Sequence, residues 1–182
     1  MKKNNGNKPI NRVAMYIIDV ILFGLLLFAD QCTKYLAIMK LKGNPAYVLY
    51  EGVLELDYLP NAGIALGMLQ GQKFLILFVG VIFIAFILFF LLKVPAKRKF
   101  IAVHILLVMV IAGGIGNMID RFRFDFVVDF ISFVLINYPI FNVADCYITI
   151  AAVLLFILFL FVYKENDLDF LDFKQKKYRE FT

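Results

Sequence analysis

Four stretches of the chain carry almost no polar side chains: residues 13–29, 74–92, 100–119 and 146–163. Each is close to the ~20 residues that an α-helix needs to cross ~30 Å of hydrocarbon. Lipid offers no partner to a bare backbone, so such spans have to be helical. Stretch 74–92 holds no charged residue at all. Between the apolar stretches the period changes. Residues 53–59 alternate, with Leu54, Leu56 and Tyr58 on one face and Glu55 and Asp57 on the other, as in a strand. Residues 122–126 alternate as well, Phe122, Phe124 and Phe126 flanking Arg123 and Asp125. The two segments predict a small platform at the membrane surface. No internal repeat or low-complexity tract appears. The charged tail after Tyr163 is predicted to be partly disordered.

Composition agrees with the pattern. The chain is 63% hydrophobic and 18% charged, against about 45–50% apolar for an ordinary globular domain. A soluble fold of this length cannot hide that much apolar surface, so the bilayer is the solvent. With 182 residues the sequence is read as one domain. Its net charge of +5 does not point to nucleic acid, because the basic residues form no single stripe. They fall in short clusters between the apolar runs, as membrane topology requires.

Those clusters set the orientation. Lys2, Lys3, Lys8 and Arg12 precede the first run. Lys93, Lys97, Arg98 and Lys99 join the second to the third, and Lys164, Lys174, Lys176, Lys177 and Arg179 follow the fourth. Thirteen basic residues therefore share one side, against six (Lys34, Lys40, Lys42, Lys73, Arg121, Arg123) on the other. Positive charge marks the cytoplasm, so both termini are expected inside and the connections 35–73 and 120–141 outside. The first run is longer than the apolar core of a cleaved signal peptide and no A-x-A site follows, so it reads as a retained helix. Cys32 lies in no lipoprotein processing box, because Asp30 and Gln31 before it are not small. Cys32 and Cys146 are too few for a disulfide scaffold. A single His with no Cys/His cluster argues against zinc or iron, so no metal or cofactor is expected.

Ionisable groups inside membrane segments are expensive and mark function by default. Here they collect at the outer helix ends. Asp30 and Lys34 in Asp30-Gln31-Cys32-Thr33-Lys34 are four apart and share a helix face. The run from Asn61 through Ala62, Gly63 and Ala65 to Gly67 permits close backbone approach, to another helix or to an extended substrate. Gly113, Gly116, Asn117 and Asp120 recur at i, i+3, i+4 and i+7, a smooth stripe that ends in an amide and a carboxylate. Tight packing explains the glycines but not Asn117, Asp120 and Arg121. Asp129 stands alone among Val127, Val128, Phe130 and Ile131, a setting that tunes a carboxylate. Asn142 reads as an N-cap with Asp145 at N3, where an acid favours the helix dipole. Asp129 and Asp145 flank one outer connection. Two carboxylates facing one cleft share a proton, and one then serves as base and the other as acid. Asp120, followed at once by Arg121, is expected to stay charged and to play no part in that pair. Asp19 and His104 belong to no motif and read as snorkelling or helix–helix contacts.

Five blocks in order resemble the lipoprotein signal peptidases, or signal peptidase II: Asp30–Lys34, Asn61–Ala65, Gly113–Arg121, Val127–Phe130 and Phe141–Asp145. Leu66 departs from the family, many members of which carry an aromatic there. The resemblance implies an all-α membrane protein with four transmembrane helices (about 13–34, 74–92, 100–119 and 144–163), an extracytoplasmic β-cradle and a short amphipathic segment. It implies an aspartic endopeptidase of the bacterial cell membrane that cuts diacylglyceryl-modified prolipoproteins on the N-terminal side of the lipidated cysteine. Asp129 and Asp145 then correspond to the catalytic pair. Asn61, Asn117 and Arg121 correspond to contacts with the substrate backbone, and Asp30, Lys34, Gly113, Asp120, Asn142 and Ala144 to supports of the site. The implied partners are prolipoproteins, membrane lipids and the family inhibitor globomycin, with the enzyme acting as a monomer and no nucleic acid involved. Two other classes compete. A channel or transporter predicts polar residues spread through the bilayer depth rather than gathered at one face. A metal-dependent lipid-modifying enzyme predicts further cations clustered at the acids.

Overall fold

The structure, a computed structural model, describes residues 8–63 and 71–171. Helix α1 spans Arg12–Lys40, α2 Lys73–Lys93, α3 Ile101–Phe124 and α4 Val143–Ile157. A π-helical turn, Leu158–Val162, continues α4. All four are long and apolar enough to cross a membrane. They differ in surroundings: 67% of the most apolar window of the α3 span is buried in protein, against 6% for the α2 and α4 spans. Helix α3 is therefore the centre of the bundle, and its neighbours turn their apolar faces outward, where lipid is the matching solvent.

Helix α1 starts where Asn11 accepts from the backbone N–H groups of Val13 and Ala14, at 2.9 and 3.2 Å. It runs further than predicted from sequence, past residue 34 to Lys40. The pair Asp30 and Lys34 looked like a helix end because it is charged, yet both side chains are buried inside the protein. The added turns pack Ala37 and Leu41 against Val128 and Phe130.

The platform is a three-stranded antiparallel sheet in the order β1-β2-β3, with β1 at Tyr47–Tyr50, β2 at Leu54–Asn61 and β3 at Val127–Phe133. Gly52, at φ +68°, makes the β1–β2 turn. The alternation at 53–59 marks β2, whose Leu56 and Tyr58 pack on the core beneath the sheet. The alternation at 122–126 does not mark a strand. Helix α3 continues through Phe124 and stops at Asp125, which adopts φ +69° and donates its N–H to the Arg121 carbonyl. Strand β3 begins only at Val127. The period-two pattern there was a helix end followed by a turn, with Phe124 stacked on Phe126.

Register matters most at the end of the sheet. Leu59, Pro60 and Asn61 of β2 pair with Asp129, Val128 and Val127 of β3. An irregularity between Leu56 and Leu59 resets the pairing. The expectations for Lys2, Lys3, Ala65, Leu66, Gly67, Lys174, Lys176, Lys177, Arg179 and the charged tail fall, wholly or beyond Leu171, outside the described residues.

Candidate active site

The glycine stripe lets three helices converge. A Cβ added at Gly113 would lie 2.5 Å from the Ala144 carbonyl oxygen and 2.9 Å from the Ile148 side chain. At Gly116 it would run into the Asp30 carboxylate. Helices α1 and α4 thus approach α3 so closely that Asp30 Oδ1 accepts from the Ala144 backbone N–H at 3.1 Å. Ala144 is fully buried, with no room for a larger side chain.

Beneath the site lies a buried cation. Lys34, 2% exposed, places Nζ 3.1 Å from Asp30, 3.0 Å from Asp120 and 2.8 Å from Asn117 Oδ1. Gln31 Nε2 donates to Asp30, to Asp120 and to the Gly116 carbonyl. Asp120 Oδ2 also accepts the Val128 N–H at 3.2 Å, which ties the base of α3 to β3. Its cation is Lys34 rather than the adjacent Arg121, whose guanidinium turns to the carbonyls of Gly63 (2.8 Å) and Asn117 (3.3 Å). Desolvation of three charges is repaid only when each is fully hydrogen-bonded, and here each is.

Two asparagines carry this order outward. Asn117 receives Lys34 on Oδ1 and donates from Nδ2 to Asp145 Oδ1 at 2.8 Å. Asn142 caps α4 by accepting the Asp145 N–H, and Asp145 Oδ2 accepts the Asn142 N–H in return, a full capping box. The Asn142 amide donates to Asn117 Oδ1 at 3.2 Å and to Asp129 Oδ1 at 2.6 Å. Asn61, delivered by the β2–β3 register, donates to Asp129 Oδ2 at 2.8 Å. Every oxygen of Asp129 and Asp145 is held by an amide donor.

Asp129 and Asp145 line one cleft of about 470 Å³ together with Asn61, Asn117, Arg121 and Val127, and with Tyr138, Pro139, Ile140 and Phe141 forming one wall. Burial raises the Asp129 carboxyl from 3.8 to about 6, helped by the nearby charge of Asp145. Its bonds from Asn61 and Asn142, and the more distant Lys34, limit the rise. Asp145 sits in the first turn of α4, where negative charge is favourable. The arrangement offers a carboxyl able to hold a proton near neutral pH beside a second one, with amides that fix both.

The structure brings all eleven candidate residues into this network or its lining, but in different roles. Asn61 and Asn117, read as substrate contacts, give their amide N–H groups to the carboxylates. Arg121 retains a buried Nε with no partner among the described residues. Gln31 and Phe141 lie inside the blocks Asp30–Lys34 and Phe141–Asp145 but had no assigned role, and Tyr138, Pro139 and Ile140 were not singled out from sequence. The three-fold bonding of Gln31 had no local sign. The wall forms because Phe141 bonds back to Ile131 and stacks on Phe133, a contact between distant turns of the chain.

A family model described as signal peptidase (SPase) II matches residues 22–161. The chain is 35% identical over 149 residues to a lipoprotein signal peptidase of Streptococcus thermophilus, covering 82% of this chain and 94% of that one. It is 34% identical to one of Caldanaerobacter subterraneus, covering 78% and 95%. A bacterial membrane enzyme solved by the in meso method at 2.3 Å superposes with a TM-score of 0.74 at 27% identity, over 87% of this chain and 96% of that one.

Proposed function

The chain belongs to the signal peptidase II family of membrane peptidases, and from that premise we propose that it removes signal peptides from diacylglyceryl-modified prolipoproteins. The cut falls on the N-terminal side of the lipidated cysteine, and Asp129 and Asp145 perform it as an acid–base pair. The observation that carries this reading is the shared cleft: two carboxylates tied to each other through Asn142, one of them raised to about 6.

The chemistry follows from that asymmetry. Asp145 takes a proton from a water while the water oxygen adds to the scissile carbonyl carbon. Asp129 gives its proton to the carbonyl oxygen. When the tetrahedral intermediate collapses, Asp129 takes back the proton from one of its two hydroxyl groups, the carbon–nitrogen bond breaks and the leaving nitrogen takes the proton held by Asp145. The new carboxyl group forms at the C-terminus of the signal peptide. Asn61, Asn117 and Asn142 keep the pair oriented between steps, which limits reorganisation in the transition state. Arg121, which lines the cleft, is the donor for a substrate carbonyl. Asp30, Lys34, Gly113, Asp120 and Ala144 support the pair from beneath. Cleavage takes place at the outer membrane surface, with both termini in the cytoplasm. Globomycin is the expected inhibitor at the same cleft, and a monomer suffices because one chain supplies both carboxylates and their amide donors.

The test is a gel-shift assay of a diacylglyceryl-modified prolipoprotein with purified protein in detergent. Cleavage should persist in excess chelator, and should stop with globomycin. Loss of activity in chelator, restored by Mg²⁺ or Zn²⁺, would return the acids to a metal-binding reading. A reporter fused after Thr182 should report cytoplasm and one inserted at Gly43 the outside; the opposite labelling would put the cleft on the wrong face.

A further inference from the structure

The seam between α2 and α3 is not closed by side chains. On its outer half, Leu77 and Val81 of α2 face Ile115, Met118, Ile119 and Phe122 of α3 across an apolar groove of about 520 Å³, with Arg123 at its outer end. Gly80, on the same stretch of α2, brings that helix against Met118 and fixes the floor. From Ile115 to Arg123 a helix rises ~12 Å, which is most of the ~15 Å thickness of one hydrocarbon leaflet.

The charges at the mouth are unequal. Lys73 is committed to Asp125, at 2.6 Å, and to the Phe122 carbonyl. Arg123 is exposed and lies over the Phe124 ring, 4.9 Å from its centroid. Among the described residues it ion-pairs with no carboxylate. A guanidinium at the headgroup level with no carboxylate partner among the described residues, above an apolar groove one leaflet deep, is complementary to one kind of molecule. We infer that the groove holds an anionic glycerophospholipid of the outer leaflet, its phosphate on Arg123 and one acyl chain along the α2–α3 seam. This site lies on a different face of α3 from Gly113, Gly116 and Asn117 and does not depend on the peptidase reading.

The experiment uses the full chain, delipidated in detergent and titrated with phosphatidylglycerol or phosphatidylcholine of the same acyl length, with bound lipid counted by native mass spectrometry. Phosphatidylglycerol should bind about fivefold more tightly, the effect of one basic side chain at an anionic lipid. Arg123→Gln should erase that preference and Arg123→Lys should keep most of it. Val81→Phe, which fills the groove, should weaken both lipids while thermal unfolding in detergent stays cooperative near the wild-type temperature and shows the protein folded. Equal binding of the two lipids, or an unchanged preference in Arg123→Gln, overturns the headgroup assignment. Full competition by soluble glycerol 3-phosphate, or unchanged binding in Val81→Phe, overturns the acyl-chain groove.

Discussion

Helices α1 and α3 meet through buried polar groups at two depths, and the two meetings are built differently. Toward the end of the bundle that carries the sheet, Asp30, Lys34, Gln31, Asn117 and Asp120 form a connected set in which each charge has several partners, and the set continues through Asn142 to Asp129 and Asp145. Toward the opposite end, Asp19 and His104 meet in a single contact of 2.8 Å. His104 is fully buried and its Nε2 has no partner among the described residues. Asp19 borders an apolar cavity of about 220 Å³ lined by side chains such as Phe23, Leu91 and Ile111. A buried charge in a membrane protein is thus not a site by itself. What separates the two regions is connection: the set beside the sheet ends on a cleft, whereas the Asp19–His104 pair ends on an apolar cavity.

The largest effect that tests this contrast is on cleavage. Asp129→Asn or Asp145→Asn should each reduce single-turnover cleavage by roughly 10³-fold or more, because removing one member of an acid–base pair removes the proton transfer itself. Both proteins should still insert and elute as the wild type does. Near-normal turnover by Asp145→Asn would leave that residue only its place in the capping box.

Next comes the charge beneath the cleft. Lys34→Met strands Asp30 and Asp120 in the interior, and breaking a buried set in this way costs about 3–5 kcal/mol. Thermal unfolding in detergent should show the loss, together with lost cleavage as Asn117 comes free of its anchor. Asp120→Asn should destabilise less and should spare the chemical step, since Asp120 does not line the cleft. Dead single-turnover cleavage in Asp120→Asn with unfolding and substrate binding unchanged would make Asp120 part of the pair instead.

Parts of this were legible in the residues and parts were not. The stripe Gly113, Gly116, Asn117 and Asp120 follows from helical period alone, and the Asn142–Asp145 cap from local sequence. Both depend on residues within two turns of one another. The first helix was expected to end near Lys34, six residues short of its end at Lys40, because the charged pair Asp30 and Lys34 read as a helix end; instead Lys34 neutralises two buried acids. The joining of Asn61 to Asp129 had no local sign. It arises from the β2–β3 register and the irregularity between Leu56 and Leu59, and pairing across 68 residues leaves no periodicity to read.

The pH dependence separates the cleft from everything around it. The Asp129 carboxyl moves from 3.8 to about 6 on folding. A raised folded value means the folded state holds the proton more tightly, so its contribution is full below about 3.8 and is lost as pH rises through about 6. The change across that window is on the order of 2–3 kcal/mol for a group this buried. Wild-type unfolding should therefore shift to lower temperature between about pH 4 and 6, on the order of the scale that this linkage sets, and Asp129→Asn should flatten the slope. Cleavage should decline over the same limb, because the proton donor is the form being lost. An identical slope in Asp129→Asn would assign the titration to another group.

The smallest effect belongs to the Asp19–His104 pair, and it bears most directly on the contrast. Asp19 and His104 join α1 to α3 through one contact, and single polar contacts between membrane helices are worth about 0.6 kcal/mol on average and at most about 1.7. His104→Gln keeps an amide that can reach Asp19, and Asp19→Asn keeps a partner for the imidazole, so neither leaves a bare charge in lipid. Each should lower stability by no more than about 1–2 kcal/mol on that scale. Cleavage should stay within about twofold, because the next polar group on α1, Asp30, is three turns away and is fixed by its own bonds to Lys34 and Ala144. The measurement is thermal unfolding beside single-turnover cleavage in the same detergent. Should either substitution abolish cleavage in a protein that unfolds at the wild-type temperature, connection to the cleft would no longer separate the two regions. The apolar stretch between Asp19 and Asp30 would then have to transmit a change in α1 to the site, and a shifted KM with unchanged kcat would locate that change in substrate binding.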